Sequence, residues 1–103
     1  MALMVVPTSD FTIYQGETVT LRWTLQPATN IAGWNIRFAI RGGPQKTAQI
    51  VDAPAGVFEV TLTAAETRAL AVGAHYYDVA RIDPGQEAVL AVGYLVVRES
   101  VAL

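Results

Sequence analysis

Apolar and polar positions alternate with a period of two along most of this chain. Between positions 17 and 25, Val19, Leu21, Trp23 and Leu25 share one face, while Thr18, Thr20, Arg22 and Thr24 share the other. Between 34 and 41 the pattern repeats, with Trp34, Ile36, Phe38 and Ile40 opposed by Asn35, Arg37, Ala39 and Arg41. Successive side chains of a strand point to opposite sides, so such runs predict strands with one dry and one wet face. Phe58, Val60 and Leu62 mark a third run within 57–63. A short strand over 10–14 ends at Gln15-Gly16, and a weak edge strand over 46–51 lies between two turn-rich stretches. A last hairpin, 75–83 and 87–97, turns on Asp83-Pro84-Gly85.

Two segments break the alternation. Thr63-Ala-Ala-Glu66 has the spacing of a capping box and predicts one helical turn over 64–70, with Gly73 as its stop. The final run is apolar on both sides. Val89, Ala91, Leu95 and Val97 form one face, and Leu90, Val92, Tyr94 and Val96 the other. One face serves the domain's own core; the other needs a covering loop, such as Leu3, Met4, Val5 and Val6, or a neighbouring molecule. Seven strands and one helical turn in this order predict an all-β fold. Two packed antiparallel sheets with Greek-key connections are the economical arrangement. The expected divisions are an N-terminal arm at 1–9, the sandwich at 10–98 and a C-terminal tail at 99–103.

Composition narrows the function. The 103 residues suffice for one domain with its own core. Only 16% are charged and 52% are hydrophobic, so part of the surface is expected to be covered by partners. The net charge of −2 comes with no run of Lys or Arg, which argues against nucleic acid. The longest apolar stretch, 88–97, is half of what a spanning helix needs, so no membrane role is expected. The opening Met-Ala-Leu-Met-Val-Val-Pro lacks a basic region and reads poorly as a signal peptide. There is no cysteine to staple the fold, attack a substrate or hold a metal.

Candidate chemistry is sparse. His75 is the only histidine, and Ser9 and Ser100 sit near the ends outside any nucleophile elbow. Asp52, Asp78, Asp83 and Glu87 match no calcium loop; Asp83 suits a turn, and Asp78 is placed outward beside Arg37 as a surface pair. Trp23 and Trp34 are expected between the sheets. Tyr14, Tyr76 and Tyr94 fit either interface anchors or ordinary strand residues. Gly42-Gly43 lacks the phosphate-loop spacing and reads as a turn. No catalytic residue, metal, cofactor or small-molecule substrate is predicted.

Taken in order, several stretches resemble the immunoglobulin-like domains of tailed-phage virion proteins, of the kind at the N-terminus of baseplate upper proteins. They are Phe11-Thr-Ile-Tyr-Gln-Gly-Glu-Thr-Val-Thr-Leu21, Ile31-Ala-Gly-Trp-Asn-Ile-Arg-Phe-Ala-Ile40 and Gly56-Val-Phe-Glu-Val-Thr-Leu-Thr63. Glu66-Thr-Arg-Ala-Leu70, Tyr77-Asp-Val79 and Val89-Leu-Ala-Val-Gly93 complete the set. The resemblance spans about 10–97 and departs at His75, where similar domains carry the tyrosine of the corner before the sixth strand. It implies an immunoglobulin-like antiparallel β-sandwich and a non-catalytic role in the virion, assembled in the host cytoplasm. The implied protein is an adaptor or ring subunit of the tail or baseplate, binding other virion proteins in a symmetric, multi-copy assembly. A capsid decoration protein of the same fold is the alternative. From another class, a carbohydrate- or receptor-binding module would use loop tips such as 42–45 or 84–87 with a nearby tyrosine. Expected docking residues are Leu3, Met4, Val5 and Val6 in the arm and Leu90, Val92, Tyr94 and Val96 in the last strand.

Overall fold

In the computed structural model, which describes residues 8–103, the period-two runs pair into two sheets. The strands are β1 (Phe11–Tyr14), β2 (Val19–Thr24), β3 (Ile36–Ile40), β4 (Gln45–Thr47), β5 (Gln49–Asp52), β6 (Val57–Leu62), β7 (Gly73–Arg81) and β8 (Ala88–Arg98). One short helix, α1 (Ala64–Ala69), connects β6 to β7. The larger sheet has the order β1-β8-β7-β3-β4, the smaller β2-β6-β5. Both carry their inward residues to one core. The strand order and face-to-face packing define an immunoglobulin-like β-sandwich, with β4 as an extra strand extending the β8-β7-β3 sheet.

An aromatic cluster centred on Trp23 joins the sheets. Its ring stacks on Phe58 (centroids 5.6 Å apart, planes at 19°) and meets Phe38, Tyr77 and Phe11 at 5.6–5.9 Å. The Trp23 indole N–H donates to the Tyr77 hydroxyl at 3.3 Å, and that hydroxyl donates to the Ser9 carbonyl. β2 and β7 are the two strands that a disulfide bridges in antibody domains. In this cysteine-free chain a tryptophan and a tyrosine link those strands.

The helix is capped as its sequence requires. Glu66 N–H donates to Thr63 Oγ1 and Thr63 N–H to Glu66 Oε1. It ends at Leu70, which is extended, and Gly73 instead opens β7, so the glycine does not provide the stop predicted for it. Thr67 is the one buried polar side chain among the described residues. Its hydroxyl accepts from Gly16 N–H at 3.0 Å and donates to the Glu17 carbonyl at 2.7 Å, fastening the β1–β2 turn to α1. Thr67→Val keeps the shape but leaves both backbone groups unpaired. It is expected to cost about 2 kcal/mol, measured by urea unfolding.

Four further sequence expectations change. The run 46–51 is two strands in different sheets: β4 pairs with β3 and β5 with β6, and the chain crosses at buried Ala48, whose N–H donates to the Ile36 carbonyl. The sandwich is not wholly antiparallel, because β1 runs parallel to β8 with Phe11 opposite Leu95. Trp34 precedes β3 and is only half-buried at the core's rim, where the Arg81 guanidinium lies 4.2 Å from its ring centroid. Finally, β8 bulges. Val79 lies opposite Ala91 and Ala80 opposite Val89, so Leu90 is the extra residue and turns into the core beside Ala91. Its 1% exposure removes Leu90 from the outer face, and Val89, at 38%, takes that face instead. A bulge shifts alternation by one residue, which is why both sides of this strand read as apolar.

Candidate functional site

The two outer surfaces of the sandwich differ in chemistry. On the three-stranded sheet, Thr20 and Thr61 share a hydrogen bond at 3.0 Å, and directly paired Arg22 and Glu59 form an ion pair at 2.8 Å. That face is suited to water. The five-stranded sheet presents cross-strand rows rich in apolar and aromatic side chains. Ala39, Asp78 and Val92 form one row, Tyr76 and Tyr94 the next, and Ala74, Val96 and Thr12 a third. Arg37, Ala80 and Val89 lie at the other end.

Tyr94 is 51% exposed in the middle of this face. Its ring meets Tyr76 edge-on at 6.0 Å, and the Arg41 guanidinium lies 5.1 Å from the Tyr76 centroid on the other flank. The backbone holds the row: Arg41 N–H donates to the Tyr76 carbonyl, and Tyr94 N–H donates to Asp10 Oδ1 at 2.9 Å. Rigid strands therefore position three large side chains side by side, an arrangement with low ordering cost on binding. Val92 and Val96 flank them, half-buried.

Of the predicted docking residues, Val92, Tyr94 and Val96 come together on this face, and Leu90 does not. Leu3, Met4, Val5 and Val6 lie outside the described residues. Just beyond them, Thr8 bridges to Val92 and Ser9 N–H donates to the Val92 carbonyl, so the chain enters β1 along the edge of β8. Sequence reasoning singled out Tyr76 and Tyr94 separately and did not bring Arg41 to them. The alternation that turns Tyr77 inward turns Tyr76 outward, but only the β7–β8 register sets it opposite Tyr94.

The other candidates serve local structure. His75 Nε2 lies 2.7 Å from the Ala71 carbonyl, tying down the crossover from the corner position assigned to it. Asp78 does not pair with Arg37: their partners across β3 and β7 are Ala39 and Ala80. Asp52 accepts from Ala55 N–H in a turn. Asp83 accepts from Arg81 Nε at 2.8 Å and from the backbone and side chain of Asn35. These donors, Arg81 first, hold its carboxyl at about 2, below the ordinary 3.8. Glu66 is also lowered, chiefly by the Lys46 ammonium 2.8 Å away and then by the Thr63 backbone.

In both cases the folded carboxyl resists protonation more than the unfolded one. Their stabilisation is present above the ordinary carboxylate pKa and is lost as pH falls through the folded value. The melting temperature is therefore expected to drop as pH falls from about 4 towards 2. Asp83→Asn should flatten part of that drop in a series of thermal melts; an unchanged slope would remove Asp83 from the account.

No family model and no curated protein matches this sequence. Among solved structures, the chain is similar to the N-terminal domain of phage TP901-1 ORF48. The TM-score is 0.58 and the identity 11%, over 87% of this chain and 85% of that one. It is also similar, at TM-score 0.46 and 9% identity, to the extracellular fragment of novel immune-type receptor 10 from Ictalurus punctatus, over 91% and 99% of the two chains. The first likeness shows a shared fold.

Proposed function

We propose that this chain is a non-catalytic structural protein of a tailed-phage virion, an adaptor or ring subunit of the tail or baseplate region that docks on neighbouring virion proteins. The observation that carries the docking role is the face around Tyr76 and Tyr94, richer in aromatic and apolar side chains than the opposite sheet, where threonines and an ion pair stand out. Tyrosine and arginine are enriched among residues that dominate interface energies. The phage assignment draws on the sequence resemblance and on the fold shared with a domain of a phage protein. Leu3, Met4, Val5 and Val6 would contribute further apolar contacts to the partner. Repetition in a symmetric assembly makes individually weak contacts effective.

The test is incorporation into particles of the phage that encodes the chain. Mass spectrometry of purified virions is expected to find the protein. Tyr94→Asp, which buries a carboxylate in the contact, should lower its occupancy at least about tenfold. Thr20→Asp on the wet sheet should leave occupancy unchanged. A protein absent from virions, or equal occupancy for both variants, would overturn the proposal.

A further inference from the structure

Beside the tyrosine row, the β3–β4 hairpin and β7 border an open depression of about 400 Å³ lined by Ala39, Arg41, Gly42, Gly43, Gln45, Tyr76 and Asp78. Its size falls within the range of small-molecule sites, about 300–1,000 Å³. Among the described residues, the side chains of Arg41, Gln45, Tyr76 and Asp78 make no hydrogen bond or ion pair with the protein. Arg41 and Asp78 share the depression without neutralising each other. The Tyr76 ring instead steadies the guanidinium.

These groups come from strand positions, or from positions next to a strand, so their placement does not depend on a long loop. The hairpin is closed by Gly43 N–H to the Ile40 carbonyl and Ile40 N–H to the Pro44 carbonyl. Gly42 leaves the wall bare: a Cβ there would meet nothing within 4 Å.

From this set we infer that the depression binds a neutral saccharide. A phosphate or carboxylate would gain Arg41 but face the Asp78 anion, and an ammonium would suffer the reverse. An apolar segment would bury both charges without compensation, which is costly. A sugar hydroxyl both donates and accepts. Neighbouring hydroxyls therefore satisfy the carboxylate as donors, and the guanidinium and Gln45 amide as acceptors. Ala39 and Tyr76 supply apolar surface for the C–H face of the ring. The site lies on the β3–β4 side of Tyr76, with Tyr94 on that ring's other flank, and does not rest on the docking proposal.

The experiment is a ¹H–¹⁵N titration of the full chain with a panel of methyl glycosides, including glucoside, galactoside, mannoside and N-acetylglucosaminide. Inorganic phosphate and methylammonium serve as charged controls. At least one glycoside is expected to give saturable shifts at the amides of 41–45, 76 and 78, with a millimolar dissociation constant. Asp78→Ala and Gln45→Ala should each weaken that binding about tenfold, with thermal melts unchanged. Thr20→Asp, on the opposite sheet, should leave it intact, and because the titration uses the chain alone, failure of the virion test does not touch this one. Absence of saturable shifts with every glycoside, shifts with phosphate alone, or undiminished binding by Asp78→Ala would overturn the assignment.

Discussion

Gly93→Ala is expected to destabilise the domain by about 3 kcal/mol and to loosen β1 from β8. A Cβ at Gly93 would collide with the Ser9 carbonyl oxygen and lie 2.7 Å from its carbon, with the Tyr77 ring 3.0 Å away. Both Ser9 atoms are backbone, and Tyr77 is packed in the core, so neither yields cheaply. To admit one methyl group, residues 8–10 must move outward. That movement takes with it the Tyr77–Ser9 hydrogen bond, the Ser9–Val92 bond and the Thr8–Val92 bridge. For a domain of this length the loss corresponds to a fall of about 15 °C in melting temperature. Hydrogen exchange should show protection lost first at 9–14 and at the β8 amides that face them. A change below about 1 kcal/mol would mean that the chain passes Gly93 with room to spare.

Tyr77→Phe is expected to cost about 2–3 kcal/mol although it creates almost no cavity. The hydroxyl is the middle of a relay: it accepts from Trp23 Nε1 and donates to Ser9. Removing it leaves a buried indole N–H and a carbonyl without partners, and an unmade buried bond costs more than a made one contributes. The larger part of the effect should appear as faster unfolding if β1 docks late in folding, which stopped-flow measurements resolve.

Alkaline pH provides an independent check. Burial raises the Tyr77 phenol pKa above the ordinary 10.0, the Trp23 hydrogen bond opposes the shift, and the Asp10 charge adds to it. The folded state therefore holds this proton more tightly than the unfolded state. Its stabilisation is complete below pH 10 and is lost as pH rises beyond it, so Tyr77→Phe should show a shallower alkaline decline. Because both substitutions free the Ser9 carbonyl, Gly93→Ala and Tyr77→Phe together should cost less than their sum. A strictly additive double variant would show that Ser9 is not their common point.

Much of the architecture was legible in short stretches. The alternation in β2 and β3 placed Trp23 and Phe38 inward, and β6 did the same for Phe58. Thr63 and Glu66 announced the helix start from spacing alone, because a capping box is satisfied within four residues. His75 was assigned to the crossover corner, and its ring reaches the Ala71 carbonyl four residues back. The errors lie where a distant partner intervenes. Leu90 was misplaced because a bulge is set by how β8 pairs with β7. The run 46–51 was read as one strand because nothing local shows that the chain changes sheets at Ala48.

The candidate site follows the same division. Val92, Tyr94 and Val96 were found from their own strand, since side chains two residues apart share a face. The contacts of Tyr76 with Tyr94 and Arg41, and the convergence of Gln45 with Asp78, join residues 18–35 positions apart. Only strand register brings them together. The sequence by itself determined the inward faces of β2, β3 and β6 and where most of the strands run, because a strand's two faces are written every second residue. Tertiary structure alone decided which strands meet, in what register, and where β8 bulges, because those outcomes depend on pairing and packing between segments far apart in the chain.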